Sequence, residues 1–248
     1  MIEFENVSKY YKSKDALSNV SVKINKGEFV FIIGPSGAGK STFIKLILKE
    51  INADEGIITV DENNVNKLSN RKIPKHRRNI GMVFQDFRLL PNKTVFENVA
   101  FAMEILHKSG RAIKRQVPQV LSLMGIEDRC KQYPSELSAG EQQRVAIARA
   151  IVNKPDILIA DEPTGNLDPV TAFEIMNLLE EINKRGTTVV MVTHAKDIVD
   201  RMKKRVITLE KGEVVRDQEG EYNIKPQIKE KTLFAGYYNK KREEDKDE

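Results

Sequence analysis

Between Gly34 and Ser41 the chain reads Gly-Pro-Ser-Gly-Ala-Gly-Lys-Ser, directly after an apolar run from Phe29 to Ile33. This order constrains the fold severely, because such a loop works only where a buried strand delivers it to the start of a helix. Glycines let backbone N–H groups crowd around an anion where a Cβ would intrude. Lys40 adds a point charge for β- and γ-phosphates, and Ser41 adds a hydroxyl for Mg²⁺. The helix opening near Lys40 turns its positive end toward the same place. The phosphate-holding segment is therefore Gly34, Pro35, Ser36, Gly37, Ala38, Gly39, Lys40, Ser41 and Thr42, with a nucleoside triphosphate as ligand.

At 248 residues, with 40% hydrophobic and 31% charged content, the chain has the makings of a folded core. No apolar run reaches the roughly 18 residues of a membrane helix. The acidic, strand-like start at Met1-Ile2-Glu3-Phe4-Glu5 is not a secretory signal. The single cysteine, Cys130, excludes an intrachain disulfide framework and fits a reducing cytoplasm as a helix-packing thiol. The net charge is +5, and Arg71, Lys72, Lys75, Arg77 and Arg78 form the densest basic patch. It reads as a solvated surface loop, with an anionic membrane face as the next reading. Nucleic acid is not expected, since no aromatic residues interleave with these charges.

The pattern along the chain alternates strand and helix. Residues 2–7 and 20–24 read as strands around a charged turn at 12–15, and 56–60 as an edge strand followed by a turn at Asp61. From about 86 to 151 the chain turns helical, with periodic apolar positions at 99–105 and 117–124. Residues 157–160 and 188–192 are short, fully apolar runs of the buried parallel kind. A helix at 170–184, ended by Gly186, separates them, and 206–215 reads as a hairpin about Lys211-Gly212. The expectation is an α/β domain over 1–224 with a helical insertion at about 86–151, then a charged, disordered tail over 225–248.

Asp161 and Glu162 follow the apolar run 157–160, at the strand tip where ligands collect in an open α/β sheet. Asp161 suits Mg²⁺ and Glu162 suits the attacking water, although two acids opening a loop also serve as caps. In the stretch Leu137-Ser138-Ala139-Gly140-Glu141-Gln142-Gln143-Arg144, Ser138 and Glu141 form a capping box on a helix running to Val152. Capping leaves Ala139 and Gly140 unexplained; at a helix mouth they expose backbone N–H groups as an anion site would.

This octad resembles the signature motif of ATP-binding cassette (ABC) ATPases, with Ala139 in place of the first signature glycine. The family's other motifs follow in order. Gln85 resembles the Q-loop glutamine, Asn166-Leu167-Asp168 the D-loop, His194 the switch histidine, and Tyr11 the adenine-stacking aromatic, with Tyr10 competing for that role. The resemblance implies a P-loop NTPase core with an antiparallel β subdomain and a helical signature subdomain. It implies ATP and Mg²⁺ as ligands, with Ser41, Gln85 and Asp161 serving the metal, and Glu162, His194 and Gln85 serving hydrolysis. It also implies a homodimer with ATP sandwiched inside, in which Ser138 and Gly140 close the site from across the dimer and Glu141 and Asp168 count among the nucleotide-binding residues. Within the family the wording is similar to cell-division members of Gram-positive type, which implies an integral membrane partner docking on the stretch from Gln85 to Met103. The location implied is the cytoplasmic face of the cell membrane at the division site. The ATPase subunit of a lipoprotein-release or macrolide-type exporter, and a soluble nucleic-acid-repair ATPase, stand as alternatives.

Overall fold

The structure, a computed structural model, describes residues 1–12, 14–220 and 222. Ten strands and seven helices alternate along them: β1 (Ile2–Tyr11), β2 (Lys14–Ile24), β3 (Phe29–Ile33), α1 (Lys40–Ile47), β4 (Glu55–Val60), β5 (Asn63–Asn64), α2 (Ile73–Arg78) and β6 (Ile80–Val83). Then come α3 (Val95–Glu104), α4 (Gly110–Leu123), α5 (Ala139–Ile151), β7 (Ile157–Asp161), α6 (Pro169–Lys184), β8 (Thr188–Val192), α7 (Lys196–Met202), β9 (Arg205–Glu210) and β10 (Glu213–Glu219). The tail expected over 225–248 lies outside the described residues.

Two sheets result. An antiparallel sheet runs β2-β1-β4-β5, and a second sheet runs β10-β9-β3-β8-β7-β6. In the second, β9, β3, β8, β7 and β6 are parallel and β10 closes one edge antiparallel to β9. β3 shows why its sequence is apolar throughout. Phe29, Phe31 and Ile33 enter a core shared with α3 to α6, while Val30 and Ile32 enter a second core beneath the antiparallel sheet. Period-two alternation thus feeds two cores at once. α1 sits in the second core, where the Phe43 ring stacks on Phe4 at 4.3 Å.

Several local expectations need correction. The turn expected at 12–15 is tighter, because β1 extends to Tyr11 and β2 starts at Lys14. Asp54 braces that extension, accepting from Lys9 Nζ at 3.0 Å and the Tyr10 N–H at 2.7 Å. β4 is not an edge strand, since the two-residue β5 lies beyond it. The basic patch is not a plain loop. α2 forms there, and Arg77 donates to the Leu48 and Lys49 carbonyls while His76 Nε2 meets the Ile47 carbonyl at 2.7 Å, so the patch caps the C-terminus of α1. β6 and α7 had no clear signal. β6 is four residues long and contains Gly81, where a Cβ would press on the Ala150 carbonyl of α5. Its glycine signals close helix–strand packing rather than a loop.

Candidate active site

β3 ends at Ile33 and the loop turns at Gly34, where a Cβ would sit inside the Leu209 carbonyl oxygen. At Gly39, with φ 108°, a Cβ would strike Ala16 and Leu17 of β2. The loop is therefore wedged between β9 and β2, which is the local reason for glycine at its two ends. The Lys211-Gly212 turn, correctly anticipated, props it further: the Gly212 N–H donates to Ala38 O at 3.1 Å. α1 starts at Lys40 with no acidic residue in its first turn, leaving its N-terminal field unopposed. Lys40 Nζ donates to Gly34 O at 2.6 Å and Pro35 O at 3.0 Å, which folds its ammonium back over the loop. Burial lowers the Lys40 pKa, and the carboxylates of Glu162 and Asp161 work against that.

Asp161 ends β7, and Glu162 follows in a left-handed conformation at φ 50°. Its N–H is satisfied by Val192 O at 2.9 Å, so pairing with β8 holds the strained residue in place. Burial, and then the neighbouring Glu162 carboxylate, raise the Asp161 pKa, with Lys40 opposing. His194, just past β8, reaches Glu162: Nδ1 lies 2.8 Å from Oε1, and the His194 N–H donates to Oε2 at 3.3 Å. Gln85, just past β6, is located by two neighbours. Asn166 Nδ2 donates to Gln85 O at 3.1 Å, and Gly165 leaves room for the Gln85 amide, which a Cβ would approach to 2.9 Å.

One cavity of about 710 Å³ collects these groups. Tyr11, Gly34 to Thr42, Gln85, Asp161, Glu162 and His194 all line it, a volume suited to a nucleotide-sized ligand. Tyr10 does not; its hydroxyl is 3.4 Å from Glu55 Oε2 instead, because alternate residues of β1 face opposite ways. Ser138, Gly140, Glu141 and Asp168 also lie outside the cavity lining. Ser138 caps α5 in a reciprocal box with Glu141, which also pairs with Arg129 at 2.9 Å. Asp168 caps α6, accepting from the Val170 and Thr171 N–H groups at 3.0 and 3.1 Å. Gly140 is buried, and a Cβ there would strike Thr171, so its glycine also permits α5 and α6 to touch. At the helix mouth Ala139 is exposed and Gly140 is buried. Ala139 is also absent from the left-handed residues, so its methyl costs no backbone strain.

Sequence reasoning missed two residues that shape this region. Tyr222 lines the cavity, although nothing in its local wording marks it. Arg149, partly buried, donates to Arg88 O at 2.5 Å and Phe87 O at 2.8 Å, just beyond Gln85. A basic residue in the last turn of α5 was the available signal.

The ABC transporter family matches residues 17–165. The cell division ATP-binding protein FtsE of Bacillus subtilis (strain 168) is 55% identical over 224 residues, covering 90% of this chain and 98% of that protein. FtsE of Mycobacterium tuberculosis is 56% identical over 227 residues, covering 90% and 99%. The chain belongs to the ABC transporter family, in its FtsE group. Among solved structures, the ATP-binding cassette MJ0796, a dimer in a post-hydrolysis state bound to ADP and Pi, superposes on this cassette with a TM-score of 0.80. It is 39% identical, with 90% of this chain and all of that chain covered. The two-sheet core and helical insertion of this cassette are thus the family's architecture.

Proposed function

We propose that this cassette is the ATP-hydrolysing subunit of a cell-division complex at the membrane, acting as a homodimer that closes on two ATP molecules. The observation that carries this reading is a division of labour. One cavity gathers Lys40, Gln85, Asp161, Glu162 and His194, while Ser138, Ala139 and Asp168 stand on another surface of the same chain. A site whose remaining half lies elsewhere is completed by a second copy, giving a two-fold pair with two shared sites.

In this reading the 34–39 backbone and Lys40 hold the phosphates and Tyr11 stacks on the adenine. Mg²⁺ fits the residues present: Ser41, Gln85 and Asp161 offer hard oxygen donors. These three residues would hold the ion, and no three His, Cys, Asp or Glu residues converge among the described residues. When bound it supplies positive charge that neutralises the β- and γ-phosphates. Glu162 accepts a proton from the water that attacks the γ-phosphorus. The bond to the bridging oxygen breaks, and ADP leaves with that electron pair. His194, released from Glu162, steadies the γ-phosphate. Ser138, Gly140, Glu141 and Asp168 serve the partner copy's site.

No helix among the described residues is long and apolar enough to cross a membrane. The mechanical output of closure passes to an integral membrane protein of the FtsX kind, docking between Gln85 and Met103 on the cytoplasmic face at the division site. That partner relays the signal to peptidoglycan hydrolases outside the cell. FtsE relatives at 46% to 56% identity support this role over an exporter or a nucleic-acid ATPase. The test is the Glu162→Gln chain, tagged and recovered from native membranes with Mg-ATP. We expect ATP binding without turnover, and co-recovery of a small membrane protein with four spans and one large external domain. Recovery of an exporter permease, or normal turnover, would contradict the proposal.

A further inference from the structure

Tyr222 stands three residues beyond the end of β10, yet it lines the same cavity as Lys40, Glu162 and His194. Its placement is held at two points. The backbone N–H donates to Asp200 Oδ1 at 2.5 Å, and the side chain packs against the core shared with α3 to α6. Asp200 belongs to α7, which begins two residues after His194. Asp200 is itself paired with Lys196 on that helix, at 3.6 Å. The chain thus closes a circuit: His194 leads into α7, α7 holds Tyr222, and Tyr222 returns to the cavity that holds Glu162.

We propose that Tyr222 is a positioning residue for ATP hydrolysis, whose ring walls the cavity beside Glu162 and keeps the attacking water isolated from bulk solvent. The inference rests on the reading of Glu162 as the group that activates this water. A ring anchored through its backbone loses little freedom when the site closes, and excluding loose water strengthens every charge interaction within. Its hydroxyl stays neutral: burial, and then the Glu162 carboxylate, push the tyrosine pKa up. The ring therefore adds no negative charge facing the phosphates. The ring supplies the effect and the hydroxyl does not, so phenylalanine is an adequate substitute and alanine is not.

The test compares Tyr222→Phe, Tyr222→Ala and Glu162→Gln as full chains, measuring kcat, KM for ATP and Tm in one Mg-ATP assay. We expect Tyr222→Phe within about twofold of the parent, and Tyr222→Ala about tenfold lower in kcat with KM changed less than about threefold. Tm should stay within a few degrees in both, since a half-buried side chain at the periphery of the core is removed. Parental kcat in Tyr222→Ala would overturn the proposal, and so would a loss in Tyr222→Phe equal to that in Tyr222→Ala. So would a kcat loss in Tyr222→Ala matched by a collapse in Tm, which marks a merely structural role. If Glu162→Gln turned over normally, the reading of Glu162 would fail first. If Glu162→Gln is inactive while Tyr222→Ala is normal, the inference about Tyr222 fails alone.

Discussion

Glu141 shows how one side chain carries two kinds of work. Its carboxylate accepts from the Ser138 N–H at 2.9 Å and hydroxyl at 2.8 Å, and from Arg129 at 2.9 Å. These bonds, the Ser138 ones foremost, hold its pKa below the ordinary 4.5. An acid with a depressed native pKa stabilises the fold above its unfolded value, and that contribution disappears as pH falls through the native value. The stability gap between the parent and Glu141→Gln should therefore be full at neutral pH and close progressively once the pH drops below 4.5, measured by chemical denaturation. Ser138→Ala should lose about 1 kcal/mol in the same experiment. At Ala139 we expect the opposite kind of result. Ala139→Gly should fold normally and keep or raise the ATPase rate, because glycine widens the approach to phosphate; a clear fall in rate would contradict this. At this scale the sequence was informative wherever chemistry and spacing coincide, as at Lys40, Asp161, Glu162 and Gln85. It was silent on Tyr222, because that side chain reaches the cavity only through tertiary packing.

At the scale of elements, α5 links the two halves of the molecule. Its first turn presents Ser138 and Ala139, and its last turn carries Arg149, whose guanidinium spans the Phe87 and Arg88 carbonyls. Phe87 and Arg88 are consecutive left-handed residues at φ 58° and 48°, a conformation held by bonds from outside. Asn98 of α3 does similar work further on, donating to the carbonyls of Leu90, Lys93 and Thr94 and accepting from the Leu90 N–H. The stretch following Gln85 is thus irregular in backbone but fixed by the partly buried Arg149 and the buried Asn98. Arg149→Met leaves two carbonyls without a donor and should cost about 1–3 kcal/mol of stability. ATP affinity should be retained, while any stimulation of turnover by the proposed membrane partner should fall more than basal turnover. Equal losses in both would show that Arg149 supports only the fold. While α7 gave no signal, helices α3 to α6 were legible from period or caps, and β3, β7 and β8 from apolar runs. β6 was not, because its four residues depend on pairing with β7 and on the closeness of α5 that Gly81 allows. Nor was α2, a helix with no buried residue whose basic side chains are used to cap α1.

For the whole molecule, the central claim is that each ATP site draws on two chains. The nucleotide cavity and the surface bearing Ser138, Ala139 and Asp168 are separate on one chain, and the related cassette MJ0796 is a dimer with ADP and Pi bound. The order of motifs in the sequence carried the assignment to an ABC ATPase, but the separation of the two surfaces emerges only when α5 and α6 are packed side by side. A complementation measurement addresses this directly. Lys40→Ala disables phosphate binding in its own chain, and Ala139→Asp puts a carboxylate at the exposed start of α5, where it suits the helix but repels phosphate. Each variant alone should be nearly inactive. In a mixed dimer, one site pairs an intact phosphate loop with an intact α5, so the mixture should regain ATPase activity well above either parent. If the mixture stays as inactive as its components while both fold and associate, the sites are not shared between chains.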